Sequence, residues 1–380
     1  MGLRLRFLQV RRSLRTGRGE GLGRGLALRG RVWLGDERGT LTDGVVVVDG
    51  SGRISAVHEC AARAVPLLPE GLRLLGSPGH WVGPGVVDAH VHLAFGEPER
   101  VLAGGVVAVR DLGAPPARAA GWRGAGPPRC SVAGPVVTAP GGYPSRTWGA
   151  RGFAAFADSP AAGRALVRSL VADGVDLLKL ALEPSGGAPV PAPPVLRALV
   201  DAAHAAGLGV TAHALTAEMV LRALDAGVDE LAHVPVALLG DADLDQVAAA
   251  GVAVVSTLQT SAAGGHGRRA MANATGLHAR GVRLLYGTDL GNTGTRPGVD
   301  PRELDRLADA GLGREGALRR AVEGARWAIG LGAGSGNAVG DGTLRPGQPA
   351  ALVLLPEDPL GEPAAWRAPA AVVAGGRLVG

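Results

Sequence analysis

The stretch GPGVVDAHVHL, residues 83–93, joins an apolar run to two histidines, His90 and His92. Successive side chains of a β-strand point to opposite faces, so residues two apart share a face. If the stretch is a strand, its end presents two imidazoles on one face, which is half of a metal site. A hydrogen-bonded surface pair of histidines has the same spacing, so the interpretation depends on further ligands elsewhere in the chain.

The middle of the chain, residues 83–335, alternates apolar β-type runs with helical segments. The predicted strands are 84–92, 105–112, 130–138, 175–182, 208–214, 230–235, 252–258 and 282–289. The predicted helices are 160–173, 193–206, 216–226, 241–250 and 301–332. Such an alternation predicts an α/β fold of the closed parallel (β/α)8 TIM barrel type. A doubly wound open sheet is the rival, but the Gly-rich phosphate loop typical of that fold does not follow the first run.

Both ends of the chain carry short β-type runs of another kind. These runs are 27–34, 44–50, 53–57, 350–355 and 370–378. They predict a small composite β-sandwich domain, built from residues 26–82 and 336–380, that flanks the barrel of residues 83–335. Residues 1–25 are rich in Arg and Gly without any periodic pattern, and we expect a basic disordered tail there.

The composition and net charge of the chain limit the classes of partner that the protein is expected to bind. Its 380 residues are 46% hydrophobic but only 3% aromatic, so a large core must be built from Val, Leu and Ala. The net charge is +5, but residues 1–31 hold nine Arg and one Glu; these contribute +8 and leave −3 on the rest. The basic character therefore belongs to the tail, which could contact nucleic acid or a membrane. Disorder, or an over-long start of the reading frame, is the favoured interpretation of that tail, and without an apolar run of about 18 residues no transmembrane helix is predicted, so we expect no nucleic-acid or membrane partner. We expect a small-molecule substrate and leave homo-oligomerisation open.

The basic tail and the two cysteines lead to two further expectations. The basic tail lacks the apolar segment of a secretory signal, so we expect a cytoplasmic protein. Cys60 and Cys130 are too far apart for a metal-binding spacing and are expected to be buried as small hydrophobic residues.

Other chemistry-bearing residues stand in or at the ends of later predicted strands. Lys179 lies in the fourth run, and His213, His233 and Asp289 end the fifth, sixth and eighth. In barrels of this kind the active site lies at the carboxyl ends of the strands. Taken singly, a strand-end His can be a core residue and a strand-end Asp can cap a helix. Together with His90 and His92, the set favours a metal site.

Lys179 is the only lysine among 39 Lys and Arg residues. A primary amine can lose its proton, whereas a guanidinium does not. An ammonium about 4 Å from a divalent ion would be repelled by roughly 8 kcal/mol at an effective dielectric of about 20. At a metal site Lys179 must therefore be deprotonated, chemically modified or turned away.

With these residues in place, the chain resembles the metal-dependent amidohydrolase superfamily, in particular its imidazolonepropionase-like and Xaa-Pro dipeptidase-like branch. The resemblance spans residues 27–380. It is carried by VDAHVH at 87–92, VRDLG at 109–113, Lys179, AHA at 212–214, LAH at 231–233, GTD at 287–289 and GTLRPG at 342–347. The set is specific for the superfamily and not for a substrate.

The resemblance implies a centre of two divalent metal ions. It assigns His90, His92 and Asp289 to the first metal, His213 and His233 to the second, and Lys179 to both as a bridging carbamate formed with carbon dioxide. Zinc is the expected metal, with manganese, iron and cobalt as alternatives.

The implied activity is hydrolysis of a C–N bond in an amide, peptide or cyclic amide by a metal-activated hydroxide, with Asp289 as the general base. Tyr143 is a candidate donor to the substrate carbonyl, or else a packed turn residue. Arg110 is a candidate partner of a substrate carboxylate, or else part of the scaffold. The alternatives are a metal-dependent deaminase or lactonase on the same scaffold, and a non-catalytic structural member of the superfamily.

Overall fold

The computed structural model describes residues 20–60, 65–123, 126–324, 328 and 339–379. Within these ranges the chain is a mixed α/β structure with parallel sheets. The predicted tail falls outside the described residues over 1–19, as does the end of the predicted helix 301–332. No described helix is both long and apolar enough to cross a bilayer.

One sheet is built from both ends of the described chain. Its strands are β1 (Glu20–Gly21), β2 (Gly25–Trp33), β3 (Thr40–Asp49), β4 (Ile54–Glu59), β5 (Arg73–Pro84), β16 (Leu352–Leu355), β17 (Ala371–Ala374) and β18 (Arg377–Val379). Their order is β1-β18-β17-β16-β5-β2-β3-β4, and only the β2–β5 pair is parallel. The turn from β3 to β4 is fixed by the Asp49 carboxylate, which accepts the Ser51 N–H at 2.8 Å.

Strand β5 was not predicted from the sequence, although it is the longest strand described. Its segment includes Gly76, Pro78 and Gly79, which interrupt any alternating pattern. Gly76 has a φ of +81°, and a Cβ there would lie 2.3 Å from the Arg29 carbonyl oxygen. A glycine bulge therefore lets β5 pair with β2 across a register shift and lead directly into the parallel strands.

The other strands are parallel and form two sheets. The smaller sheet holds β6 (Val86–Val91), β7 (Val106–Asp111) and β8 (Arg129–Val132). The larger sheet has the order β10-β9-β11-β12-β13-β14-β15, from β9 (Val136–Thr138), β10 (Ala154–Phe156), β11 (Leu177–Leu182), β12 (Gly209–Ala214), β13 (Glu230–Leu231), β14 (Ala253–Val255) and β15 (Leu284–Leu285). Most are buried on both faces, as expected of parallel strands covered by helices.

Backbone hydrogen bonds join the two parallel sheets at both edges. On one side Ala89 N donates to Tyr286 O at 3.0 Å and Asp289 N to His90 O at 2.8 Å. On the other side Asp176 N donates to Val132 O at 2.8 Å. Strand β6 therefore lies beside the chain that follows β15, and β8 beside the chain that enters β11.

The helices are α1 (Pro98–Ala103), α2 (Pro116–Arg123), α3 (Pro160–Ala172), α4 (Pro193–Ala205), α5 (Ala217–Ala226), α6 (Asp241–Ala249), α7 (Leu258–Ala263), α8 (Gly267–Ala279), α9 (Pro301–Leu307) and α10 (Gly313–Val322). Local chemistry sets their ends: Ser159 caps α3 by accepting Ala162 N, with Pro160 at the first position. The predicted helix 301–332 is interrupted between α9 and α10. A π-helical turn at Ala308–Leu312 contains Gly311 with a φ of 113°, which a continuous α-helix does not allow.

The sheet of the chain ends packs on the parallel strands through tryptophan. Trp33 and Trp81 stack with ring centroids 6.0 Å apart, and Trp366 meets Trp81 edge-on at 6.0 Å. All three belong to the apolar core that also holds Val86 and Val106. This contact fixes the start of β6 and, through it, the histidines at its end.

A buried ion pair cross-links the parallel strands. Arg110 of β7 and Glu230 of β13 are both fully buried, and the guanidinium donates two hydrogen bonds to the carboxylate. Arg110 Nε also donates to the Ala89 carbonyl of β6 at 2.8 Å, and Thr211 of β12 donates to Glu230 at 2.8 Å. One network thus ties together four strands, three of which lead to predicted metal ligands.

We expect Arg110→Met to destabilise the protein by about 3–5 kcal/mol, because Glu230 would remain as an unpaired buried charge. The double variant Arg110→Met/Glu230→Met should regain most of that loss, since no charge is then left without a partner. Urea unfolding of the parent, both single variants and the double variant measures the difference. Equal losses in Arg110→Met and the double variant would show that the unpaired charge of Glu230 is not the cause of the destabilisation.

Candidate metal centre

The structure brings all six predicted ligands to one cavity of about 60 Å³. The ligands are His90 in β6, His92 just after it, Lys179 in β11, His213 in β12, His233 after β13 and Asp289 after β15. They meet because parallel strands end at the same edge of a sheet. Val136, Tyr143, Trp148, Ala181 and Asn292 complete the lining.

Three of the six converge closely. Asp289 Oδ1 lies 3.3 Å from His90 Nε2 and 3.3 Å from His92 Nε2, and the two imidazole nitrogens are 3.4 Å apart. His233 lies nearby, since ligand atoms of His90, His233 and Asp289 all fall within 4.8 Å of one another. Nitrogen and carboxylate donors so close together can share one cation.

His213 and His233 form the other half of the cavity wall, with His213 Nδ1 3.0 Å from His233 Nε2. The outer nitrogen of each ring has its own partner. His213 Nε2 faces Glu183 Oε2 at 3.3 Å, and His233 Nδ1 faces Thr257 Oγ1 at 3.1 Å. A carboxylate on the outer nitrogen keeps a proton there and leaves the inner nitrogen free to bind a metal.

His90 is oriented in the same way, since its Nδ1 lies 2.8 Å from the Ala232 carbonyl oxygen. A carbonyl can only accept a hydrogen bond, so Nδ1 carries the proton and the Nε2 lone pair faces Asp289. The His90 side chain thereby joins the carboxyl end of β6 to the residue that follows β13.

Three buried polar atoms of the site lack a hydrogen-bond partner in the part of the chain that the structure describes. They are Lys179 Nζ, Asp289 Oδ1 and His92 Nδ1. Leaving such groups unpaired normally costs free energy, so a cluster of them indicates a missing ligand. Four imidazoles, a carboxylate and an amine form a donor set that fits a divalent transition metal such as zinc.

Burial lowers the pKa of several nitrogen ligands of the site, which favours their neutral, metal-binding forms. Burial lowers the pKa of His90 and His233 well below the ordinary value, and it also lowers the pKa of His213. Burial likewise lowers the pKa of Lys179 to about 7. These three imidazoles are therefore neutral at neutral pH, and a large fraction of the amine is unprotonated.

Glu183 behaves differently, because its hydrogen bond with His213 lowers the pKa of the carboxyl to about 2. For His213 itself, burial outweighs the neighbouring carboxylate and the pKa still falls. The pair is therefore a neutral imidazole that donates to an anionic carboxylate. Glu183 was not predicted from the sequence, where it is an ordinary acid one residue past β11.

Asp289 is held in an unusual backbone conformation, with a φ of 57°. The preceding Thr288 donates through both its N–H and its hydroxyl to the carboxylate of Asp88, which is buried and also accepts from His90 N. This clamp links the ends of β6 and the chain after β15 and offsets the strain of a left-handed aspartate. Asp88 lies within the GPGVVDAHVHL stretch, two residues before His90, but the sequence alone gave it no role.

The two predicted substrate contacts, Tyr143 and Arg110, lie in different places. Tyr143 lines the cavity, with its ring 5.2 Å from that of His213, and its hydroxyl accepts from Trp148 Nε1 at 3.1 Å. Arg110 is not brought to the cavity, because its guanidinium is occupied by Glu230 and the Ala89 carbonyl beneath it. The scaffold interpretation of Arg110 is therefore the one that its surroundings favour.

No protein-family model and no curated protein matches the sequence. Several solved structures share the fold over almost their whole length. A Xaa-Pro dipeptidase with bound methionine has a TM-score of 0.79 and 19% identity, covering 93% of this chain and 99% of that one. A putative prolidase from Bifidobacterium longum has a TM-score of 0.78 and 26% identity, covering 94% and 95%. The A. niger ochratoxinase has a TM-score of 0.74 and 17% identity, covering 93% and 95%.

These structures belong to the amidohydrolase superfamily, so the resemblance seen in the sequence is confirmed, and the chain has the fold of that superfamily. Within it, the similar structures include a dipeptidase and a prolidase, as well as enzymes named for ochratoxin and molinate.

In metal-free protein and CO2-free buffer, we expect the unfolding free energy of the parent to rise with pH relative to Lys179→Met. Between pH 7 and 10.5 the unfolded chain binds a proton on Lys179 that the native chain does not, because the native pKa is lowered to about 7. The difference should grow by about 1.4 kcal/mol per pH unit across this window and stay constant below it. Urea unfolding at a series of pH values measures it, and parallel profiles would mean that the buried amine titrates normally.

Proposed function

We propose that the chain is a metal-dependent amidohydrolase that cleaves a C–N bond of an amide, peptide or cyclic amide in a small-molecule substrate. The observation that carries this proposal is the convergence of six potential ligands in one cavity, three of them with buried atoms that lack a partner among the described residues. The hydrolases among the structures that share the fold support it.

We infer further that the two parallel sheets close into a (β/α)8 barrel, with the sheet of the chain ends as the core of a small flanking β-domain. The backbone hydrogen bonds from Ala89 to Tyr286 and from Asp176 to Val132 support this closure. In such a barrel the cavity lies at the carboxyl ends of the strands, where barrel enzymes keep their active sites.

Two metal ions, with zinc the expected element, would be divided between the two halves of the cavity. His90, His92 and Asp289 would hold one, His213 and His233 the other, and Lys179 both. Lys179 would do so as a carbamate: the unprotonated amine attacks carbon dioxide, loses a proton and becomes an anion with two oxygens. A lysine pKa of about 7 supports this, because the reacting amine must be neutral.

When bound, the metals supply an activated water and polarise the substrate carbonyl. Asp289 then accepts the proton of the attacking water and transfers it to the leaving nitrogen. The Tyr143 hydroxyl donates a hydrogen bond to the substrate carbonyl oxygen. Its O–H is free to do so because the Tyr143 oxygen already accepts a hydrogen bond from Trp148 Nε1. Glu183 holds the proton of His213 on the outer nitrogen.

Protein purified without added metal should contain about two transition-metal ions per chain by elemental analysis. Lys179→Ala should lose at least one of them together with its activity, and a short carboxylate added with metal should restore part of both. A guanidinium cannot form the carbamate, so Lys179→Arg should remain inactive. A fully active Lys179→Arg would contradict the bridging carbamate, and a metal-free parent would favour a non-catalytic role.

Asp289→Asn should keep much of the bound metal but lower kcat by roughly 10²- to 10⁴-fold, because the amide cannot take up the proton of the attacking water. Elemental analysis and kcat measured on the same preparation separate the two effects. Turnover at the parent rate would remove Asp289 from the role of general base.

A further inference from the structure

The aromatic residues of this chain are few, and several of them gather at the metal cavity. The whole sequence has four Phe, two Tyr and six Trp. Phe95, Tyr143, Trp148 and Phe153 form one connected cluster, here called the aromatic wall. Its ring centroids are 5.1 Å apart for Phe95–Phe153, 5.8 Å for Phe95–Trp148, 6.2 Å for Trp148–Phe153 and 6.3 Å for Tyr143–Trp148.

The aromatic wall stands over both halves of the cavity. Trp148 packs edge-on against the His92 ring at 4.9 Å, and Tyr143 packs against the His213 ring at 5.2 Å. The hydrogen bond from Trp148 Nε1 to the Tyr143 hydroxyl holds the two rings in a fixed relation. A substrate whose carbonyl enters the cavity would therefore contact Tyr143 or Trp148, which line it.

The aromatic wall is also partly open to solvent. Trp33, Trp81 and Trp366 are each 1% exposed, whereas Phe95 is 47% exposed and Trp148 is half-buried. Apolar rings left uncovered beside a cavity offer a surface for an apolar or aromatic ligand group.

The described residues that line the cavity include no guanidinium to pair with a substrate carboxylate. Among its described lining residues Lys179 is the only cation and Asn292 is neutral. Arg110 lies beneath the cavity and is occupied by Glu230. Outside the metals, a free carboxylate would therefore lose its hydration without gaining an ion pair, which disfavours a charged dipeptide.

We propose that the substrate is a neutral arylamide whose aromatic ring, carried by the leaving amine, stacks on the aromatic wall. This inference rests on the proposed amide hydrolysis. Asp289 lies 3.3 Å from both His90 and His92, and Trp148 packs on His92, so a ring carried by the leaving nitrogen would reach Trp148. Tyr143 and His213 lie on the side of the carbonyl oxygen.

The reaction is a simple hydrolysis. The bond between the carbonyl carbon and nitrogen breaks, and the water oxygen bonds to that carbon. One water proton passes through Asp289 to the nitrogen, so the products are a carboxylic acid and a neutral aromatic amine. No oxidant, reductant or further reactant is required.

The test compares two exposed phenylalanines. Phe95 belongs to the aromatic wall, whereas Phe156, which is 45% exposed in β10, provides a matched control outside it. For the metal-loaded enzyme acting on acetanilide, Phe95→Leu should lower kcat/KM about threefold and Trp148→Leu about tenfold. Phe156→Leu should leave it unchanged. Benzamide, with its ring on the acyl side, should respond less to the same variants.

A binding measurement keeps the test independent of turnover. N-phenylmethanesulfonamide, which this chemistry does not hydrolyse, should bind the metal-loaded parent roughly fivefold more tightly than N-cyclohexylmethanesulfonamide by calorimetry. Phe95→Leu should reduce that preference, and Phe156→Leu should not.

Equal binding of the two sulfonamides, or faster hydrolysis of a dipeptide with a free carboxylate than of acetanilide, would overturn the arylamide proposal. If the metal-loaded protein hydrolyses no amide or peptide but still binds the phenyl compound in a Phe95-dependent way, the proposed hydrolysis fails while aromatic recognition stands. These outcomes separate the two proposals.

Discussion

The structure depends on the desolvation of one amine. Lys179 is 2% exposed, lies in a strand of Leu and Ala, and its nitrogen has no hydrogen-bond partner among the described residues. A protonated amine in that position is disfavoured, which is why its pKa falls to about 7. The pKa values of three imidazoles around it, those of His90, His213 and His233, are lowered by the same burial. A cluster of neutral donors beside a carboxylate suits a cation, so the architecture of the site and its fit for a cation have the same physical origin.

Such a cluster must be held in place when no cation is present, and the scaffold does this with fixed hydrogen bonds. The Arg110–Glu230 network joins the strands below the cavity, and the Asp88–Thr288 clamp holds Asp289 in its left-handed conformation. Glu183 and the Ala232 carbonyl orient the imidazoles of His213 and His90. Because each support connects two strands, the ligands are positioned by contacts between neighbouring strands rather than by any single loop.

The sequence predicted those parts of the molecule that follow from local periodicity. The alternation in GPGVVDAHVHL placed His90 and His92 on one face of a strand, and the single lysine drew attention to residue 179. It could not predict that Arg110 would find Glu230, because that contact joins residues 120 apart in the chain. Glu183 and Trp148 were missed for another reason, because neither stands in a recognisable motif. Strand β5 and the break between α9 and α10 were missed because glycines with positive φ, at Gly76 and Gly311, override the surrounding pattern.

The distribution of aromatic residues connects the fold to the choice of substrate. With 3% aromatic residues, the core around the parallel strands is made almost wholly of Val, Leu and Ala, so the packing of that core does not require large rings. One group of tryptophans, Trp33, Trp81 and Trp366, fills the junction between the sheet of the chain ends and the parallel strands. The aromatic wall is less completely covered, since Phe95 is 47% exposed and Trp148 is half-buried. Rings that line the cavity and keep open surface, as Tyr143 and Trp148 do, are best explained by what enters the cavity.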